Sequence, residues 1–116
     1  MLLLEYPTCS TCKKAKRWLD KHGAAYTSRN IKTEPPTAAE LRLWHEKSGL
    51  PLKKFFNTSG TLYKEMQLKD KLPAMEEEEM LSLLASDGLL VKRPLAVADG
   101  KVLVGFKEAE WEAAFK

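Results

Sequence analysis

Leu2-Leu3-Leu4-Glu5-Tyr6 is a short apolar run closed by Pro7, and a basic segment with helical spacing begins at about Ser10. A run of that kind, apolar without alternation, suits a strand buried on both faces of a sheet that is at least partly parallel. The helix is expected from about Ser10 to His22. Ala15, Trp18 and Leu19 recur at i, i+3 and i+4, Lys13, Lys14, Lys16, Arg17 and Lys21 face outward, and Gly23 stops it. Ala24 to Ile31, with Tyr26 and Ile31, fits a second strand. Strand, helix and strand within the first ~30 residues make a βαβ unit and place the chain in the α/β class.

Pro35-Pro36 then breaks the chain, and Thr37 with Glu40 three residues later is a capping box for a helix from Ala38 to Lys47. Leu41, Trp44 and His45 share one of its faces, and Gly49 and Pro51 end it. From Leu52 to Asp87 the sequence is helical with interruptions. Asn57-Thr58-Ser59-Gly60 reads as a turn, Thr61 to Leu72 as one helix, and Pro73 as a restart. Glu76 to Glu79 open the last of these helices as solvated acids at its positive end, and Asp87-Gly88 closes it. The period then changes. It does so from Leu89 to Val91 onward, and the two β-rich runs Arg93 to Val97 and Lys101 to Phe106 around Asp99-Gly100 predict a hairpin. A final helix from about Lys107 carries Trp111, Ala114 and Phe115 on one side. The order is βαβ, a helical insertion over about 35–88, then ββα. No repeat or low-complexity linker divides it, so one domain over residues 1–116 is expected.

Composition narrows the function classes. A 44% hydrophobic and 30% charged chain is not disordered, and no apolar run approaches the ~20 residues that span a bilayer. The run after Met1 is too short for a signal peptide and follows no basic segment. A net charge of +3 with scattered basic residues gives no reason to expect nucleic acid. A cytoplasmic, monomeric protein away from membranes is the expectation.

Both cysteines lie in Cys9-Ser10-Thr11-Cys12 at the start of the first helix. In a reducing compartment such a pair points to catalysis or metal binding more than to a structural staple. A cysteine just ahead of a helix meets unpaired backbone N–H groups and the positive end of the helix dipole, which favour a thiolate at Cys9. Lys13 or Lys14 adds to this if it folds back towards the sulfur. Only the thiolate attacks disulfides. Cys12 lies about one helical turn on, compatible with the ~4.4 to 6.8 Å Cα separation of a disulfide, so Cys9 can attack and Cys12 resolve. Inside the helix, Cys12 should be the more buried sulfur. Two alternatives stand beside this reading. A zinc site needs about four ligands, and His22 and His45 lack the usual ligand spacing; a purely structural pair is the other. His22 itself reads as a helix C-terminal residue and His45 as a half-buried one. Arg93-Pro94 is the second site element. The proline precedes the third strand and would pack against the cysteine loop, a cis bond would present a backbone edge beside Cys9, and Arg93 could bind an oxyanion or a carboxylate.

Taken together, Tyr6-Pro7-Thr8-Cys9-Ser10-Thr11-Cys12-Lys13-Lys14-Ala15, Gly60-Thr61-Leu62-Tyr63-Lys64, Arg93-Pro94-Leu95 and Asp99-Gly100-Lys101-Val102-Leu103-Val104-Gly105-Phe106 resemble the arsenate reductase (ArsC) and Spx family over essentially the whole chain. The resemblance implies a thioredoxin-like fold, a mixed sheet flanked by helices with a helical insertion. It implies a thiol-disulfide oxidoreductase like the glutaredoxin-coupled arsenate reductases, with Cys9 as nucleophile, Cys12 resolving and Arg93 as the arginine before the proline. Ser10, Thr11, Lys13 and Pro94 are expected to bind substrate, which would be a small thiol, an oxyanion or a protein disulfide. No bound cofactor and no metal is expected; glutathione, glutaredoxin or thioredoxin would be the reductant. Asn57 stands where those enzymes have a second arginine, Gly105 or Phe106 where they have a third, and Glu5 where they have a histidine. The alternative implied by the resemblance is an Spx-like redox-sensing transcriptional regulator that binds the RNA polymerase alpha subunit through a Cys9–Cys12 switch, with Thr58-Ser59 in place of the Arg-Ser of that family.

Overall fold

The computed structural model describes residues 1–98 and 100–115, so the Asp99 half of the expected Asp99-Gly100 turn lies outside the described residues. The strands β1 (Leu2–Glu5), β2 (Thr27–Asn30), β3 (Leu95–Ala98) and β4 (Lys101–Val104) form one sheet in the order β2-β1-β3-β4. β1 runs parallel to β2 and antiparallel to β3, and β3 and β4 pair as the expected hairpin. β1 is therefore central, and alternate side chains enter different cores. Leu3 packs with Ala15, Trp18, Leu19, Ala96 and Trp111, whereas Leu4 packs with Leu41, Phe55, Leu81 and Leu95. Each of these fully buried leucines contributes about 1.5–3 kcal/mol, which explains why the run tolerates no alternation.

Helices α1 (Ser10–Lys21) and α6 (Glu108–Phe115) supply the first core. Its centre is aromatic. Trp111 stands edge-on to Trp18, Phe106 and Phe115, and its Nε1–H donates to the Gly105 carbonyl at 3.1 Å. The second core is covered by α2 (Ala38–Ser48), by α5 (Glu77–Ser86) and by the segment between them.

The capping box forms as expected, since Thr37 Oγ1 accepts from the Glu40 N–H at 3.1 Å and Glu40 Oε1 accepts from the Thr37 N–H at 3.0 Å. The same carboxylate receives both Arg29 Nη atoms, at 2.9 and 3.0 Å. Arg29 also donates to the Glu34 and Pro35 carbonyls, so it clamps the β2–α2 connection. The Arg29 guanidinium holds the Glu40 carboxyl below its ordinary value of 4.5. A lowered carboxylate adds stability that is present above the unfolded value and is lost as pH falls through the folded one. Glu40→Gln keeps a capping side chain but loses the charge, and is expected to cost about 1 kcal/mol at neutral pH. The gap between variant and parent should close as denaturation is measured at progressively lower pH below 4.5.

One expectation needs correction. The helix expected over Thr61 to Leu72 is broken into α3 (Thr61–Glu65) and α4 (Leu68–Lys71), with Gln67 in the left-handed region at φ 54°. At ~100° per residue, one straight helix would set Leu62 and Met66 about 120° away from Leu68 and Leu72. All four pack on the same core, and the turn at Gln67 is what brings them there. The change of period at Leu89 to Val91 takes the form of a turn ahead of the hairpin. Gly88–Leu90 is a 3₁₀ turn, and Val91 forms a single antiparallel bridge with Phe56. The acids that open α5, Glu76 to Glu79, are exposed as expected, although Glu78 pairs with Arg42 at 2.6 Å and Glu77 lies 3.2 Å from His45 Nδ1.

Candidate active site

Cys9 is the N-cap of α1, with extended backbone at φ −79° and ψ 116°. Its Sγ accepts the Cys12 N–H at 3.3 Å, occupying the place of the oxygen in an ordinary Ser or Asp cap. Its own N–H donates to the Tyr6 carbonyl at 3.0 Å and its carbonyl accepts the Lys13 N–H at 3.1 Å, so the loop from Pro7 to Cys9 is a tight link between β1 and α1. Both sulfurs are free thiols. Cys9 is half-buried and Cys12 fully buried, the order of exposure expected.

Burial pushes the Cys12 thiol up to about 12, and its hydrogen bond to Cys9 acts in the same direction; the Tyr6 backbone and the Arg93 charge oppose it. Cys12 therefore keeps its proton over the range in which thiol exchange is ordinarily run. Between the unfolded value of 9.0 and the folded value of about 12 the unfolded chain releases a proton that the folded chain retains. Stability from this group is full below 9.0 and lost as pH rises towards 12. Denaturant unfolding should show that alkaline decline, and Cys12→Ala should flatten it. A decline of equal steepness in Cys12→Ala would exclude Cys12 as its source.

Loop and helix are anchored by Glu5 at the end of β1. This buried carboxylate binds Lys16 Nζ at 2.9 Å through Oε1 and Ser28 Oγ at 2.6 Å through Oε2. Glu5 thus stitches β1 to α1 and β2. The hydrogen bond that Lys16 donates to Glu5 raises the ammonium above its ordinary 10.5.

The Arg93-Pro94 bond is cis, and the Pro94 carbonyl accepts the Gly105 N–H at 2.8 Å. Arg93 lays its guanidinium carbon 5.2 Å from the centroid of the Tyr6 ring and donates through Nη1 to the Leu89 carbonyl at 3.5 Å. Its Nε is buried without a protein partner among the described residues. A cavity of about 240 Å³ joins these parts, with Cys9, Thr11 and Arg93 in its walls. Of the other residues expected to bind substrate, Ser10 and Lys13 are exposed on the first turn of α1 and do not line this cavity; Pro94 is buried and does not line it either.

The cavity also contains Asn57 and Ser59, which motif comparison marks only as replacements of arginine and serine positions, and Lys92 and Lys107, which no motif points to. They arrive through a short antiparallel contact. The Lys92 N–H donates to the Phe55 carbonyl at 2.7 Å and the Asn57 N–H to the Leu90 carbonyl at 2.8 Å, around the Phe56–Val91 bridge. The Lys92 side chain crosses Gly105, where a Cβ would stand 2.9 Å from its Cε, and Gly105 itself has φ +78°. Glycine at that position admits both the backbone conformation and the lysine. The only sequence signal for Lys92 is its adjacency to Arg93. Among the described residues no group of three or more His, Cys, Asp or Glu side chains is placed to hold a metal ion, and no helix is long and apolar enough to cross a membrane.

Known proteins share this arrangement. The sequence is 56% identical over 107 residues to YusI of Bacillus subtilis strain 168, an uncharacterized protein, over 92% of this chain and 91% of the relative. The structure superposes on that of a possible arsenate reductase from Streptococcus mutans with a TM-score of 0.90 at 49% identity, covering 98% of this chain and 97% of the other. The global transcriptional regulator Spx of Staphylococcus epidermidis is 29% identical over 109 residues, 93% of this chain and 81% of the regulator. The sheet and its flanking helices are the thioredoxin-like arrangement of such proteins. The ArsC family pattern matches residues 4–114, from within β1 into α6 and through every element that walls the cavity, and the chain belongs to the ArsC family.

Proposed function

We propose that this protein is a thiol-disulfide oxidoreductase in which Cys9 is the nucleophile and Cys12 the resolving thiol. The observation that carries the reading is the Cys9 sulfur at the N-cap of α1, exposed to a cavity and hydrogen-bonded by the Cys12 N–H. The Cys9 thiolate attacks one sulfur of a substrate disulfide, forming a mixed disulfide and releasing the other sulfur, which takes up a proton. Cys12 then loses its proton to solvent and attacks the Cys9 sulfur. The remaining substrate sulfur leaves as a thiol, and the chain holds a Cys9–Cys12 disulfide, two electrons having passed to the substrate. A dithiol or thiol of the glutathione, glutaredoxin or thioredoxin class returns the pair to its reduced state. Raised by burial, Cys12 stays a thiol until the mixed disulfide forms, which orders the two attacks. The setting proposed is a cytoplasmic monomer of one domain. The test is turnover of a small disulfide coupled to such a reductant, and retained turnover in Cys9→Ser removes the reading.

Arsenate reduction belongs to the same chemistry, but a dianionic oxyanion would meet Arg93 as the one arginine lining this cavity among the described residues, with Lys92 and Lys107 as the other cations of its walls and Asn57 and Gly105 where the resemblance places further arginines. A lysine meets an oxyanion as a point charge without the paired donors of a guanidinium, so a disulfide is the better fit. The similarity to Spx favours a second reading, a regulator that binds the RNA polymerase alpha subunit and switches when Cys9 and Cys12 pair. Pull-down of the alpha C-terminal domain by the reduced and the oxidised chain separates the two. Absence of binding in both states removes the regulator.

A further inference from the structure

The cavity at Cys9 is one end of a longer depression. It shares Lys92, Val104 and Lys107 with a second cavity of about 280 Å³, which in turn shares Lys53, Lys54 and Thr58 with a third of about 470 Å³. The walls change character along the way. Lys92, Lys107, Lys53 and Lys54 flank the route with Glu110 as the one acid lining it among the described residues, and none of these lysines forms an ion pair with a described residue. At the far end Tyr63, Leu72, Met75 and Met80 form an apolar floor with Lys69 at its edge. A row of unpaired cations costs stability through self-repulsion and is relieved by an anionic partner. A methionine-lined hollow accepts aliphatic or aromatic side chains of varied shape.

We propose that this groove docks an extended acidic segment of a protein substrate, with its cysteine at Cys9, its Asp or Glu side chains along Lys92, Lys107, Lys53 and Lys54, and an apolar side chain in the Met75–Met80 hollow. The inference rests on the thiol-disulfide reading. The partner contributes one cysteine of a disulfide; Cys9 forms a bond to that sulfur, the partner's S–S bond breaks, and the second partner cysteine leaves with the electron pair and takes a proton. Charge complementarity carries the choice of partner. A basic or neutral segment would leave the lysines unpaired, and a small thiol would occupy only the cavity of about 240 Å³.

The experiment follows mixed-disulfide formation by the full chain carrying Cys12→Ser. The probes are two symmetric peptide disulfides, Cys-Glu-Asp-Glu-Gly-Leu and Cys-Lys-Arg-Lys-Gly-Leu, alongside bis(2-hydroxyethyl) disulfide as an uncharged probe. The acidic peptide should react roughly tenfold or more faster than the basic one at low ionic strength, and the ratio should shrink steeply in added salt. The ratio should invert in Lys53→Glu/Lys54→Glu, and serine in place of the peptide's leucine should slow the acidic probe. Because the readout is a ratio within one protein sample, partial loss of folded variant leaves it intact. Equal rates for the two peptides, with the uncharged disulfide still reacting, overturn the groove and leave the thiol chemistry standing. Failure of all three probes overturns both.

Discussion

Cys9→Ser should lower disulfide turnover by at least roughly a thousandfold, because a serine hydroxyl at neutral pH supplies no nucleophile to replace the thiolate. The variant should keep its fold, since the serine oxygen can accept the Cys12 N–H that the sulfur accepts at 3.3 Å and serine is a favoured N-cap. Loss of activity would then report chemistry and not collapse of α1. Cys12→Ser should behave differently. The first attack proceeds, the mixed disulfide has no internal thiol to resolve it, and the adduct accumulates as a species visible by mass that added dithiol releases. Cys9→Ser should form no such adduct at neutral pH. Burial, the largest cause that raises the Cys12 thiol, does not depend on Cys9, so Cys12 is a poor first nucleophile even when its neighbour is gone. An adduct on Cys12 in Cys9→Ser at a rate near that of the parent would reverse the assigned roles. Turnover retained in Cys12→Ser with a thiol of the glutathione class would mean that an external thiol resolves the adduct, a monothiol cycle.

Local rules that rest on a few adjacent residues are legible in the sequence. Thr37 and Glu40 announce the start of α2, and the Cys9 position before a basic amphipathic helix announces an N-cap sulfur. The β3–β4 pairing is visible in the apolar runs either side of Gly100. The break at Gln67 is not legible, because Thr61 to Leu72 contains no internal proline or glycine. It follows from which core Leu62 and Leu68 must both reach, and that is a tertiary demand. The same holds for the site. Cys9, Cys12 and Arg93 can be assigned from motifs, while Lys92, Lys107 and Ser59 enter the cavity only because the Phe56–Val91 bridge and the end of β4 deliver them. Glu5 stands out in the sequence only as a departure from the histidine of arsenate reductases. Its structural work, bracing α1 through Lys16 and β2 through Ser28, depends on partners 11 and 23 residues away.

The position with the largest expected effect on stability is Gly88. A Cβ there would stand 1.7 Å from the Ile31 carbonyl oxygen and 2.7 Å from its carbon, both backbone atoms that cannot swing aside as a side chain can. Ile31 is fully buried just beyond β2, and its N–H is held by the Glu5 carbonyl at 2.9 Å, so the strand cannot retreat without loosening the end of β1. Gly88 in turn begins the 3₁₀ turn whose carbonyl receives the Val91 N–H at 3.1 Å, immediately ahead of Lys92 and Arg93. Relief of the clash must therefore move either the β2 end or the segment that carries the basic residues of the cavity. Gly88→Ala is expected to cost about 3 kcal/mol or more, the upper end of what overpacking costs, because the atoms met are backbone. A neutral result in denaturant unfolding would show that the Ile31 and Gly88 backbones separate easily. Where the variant still folds, a retained rate of Cys9 alkylation combined with a changed ratio between acidic and basic peptide disulfides would locate the displacement at Lys92 and Arg93, away from the α1 N-terminus. The close approach of Gly88 to Ile31 thus couples the helical insertion to the sheet end that bears Cys9, and that makes one buried glycine a determinant of both stability and site geometry.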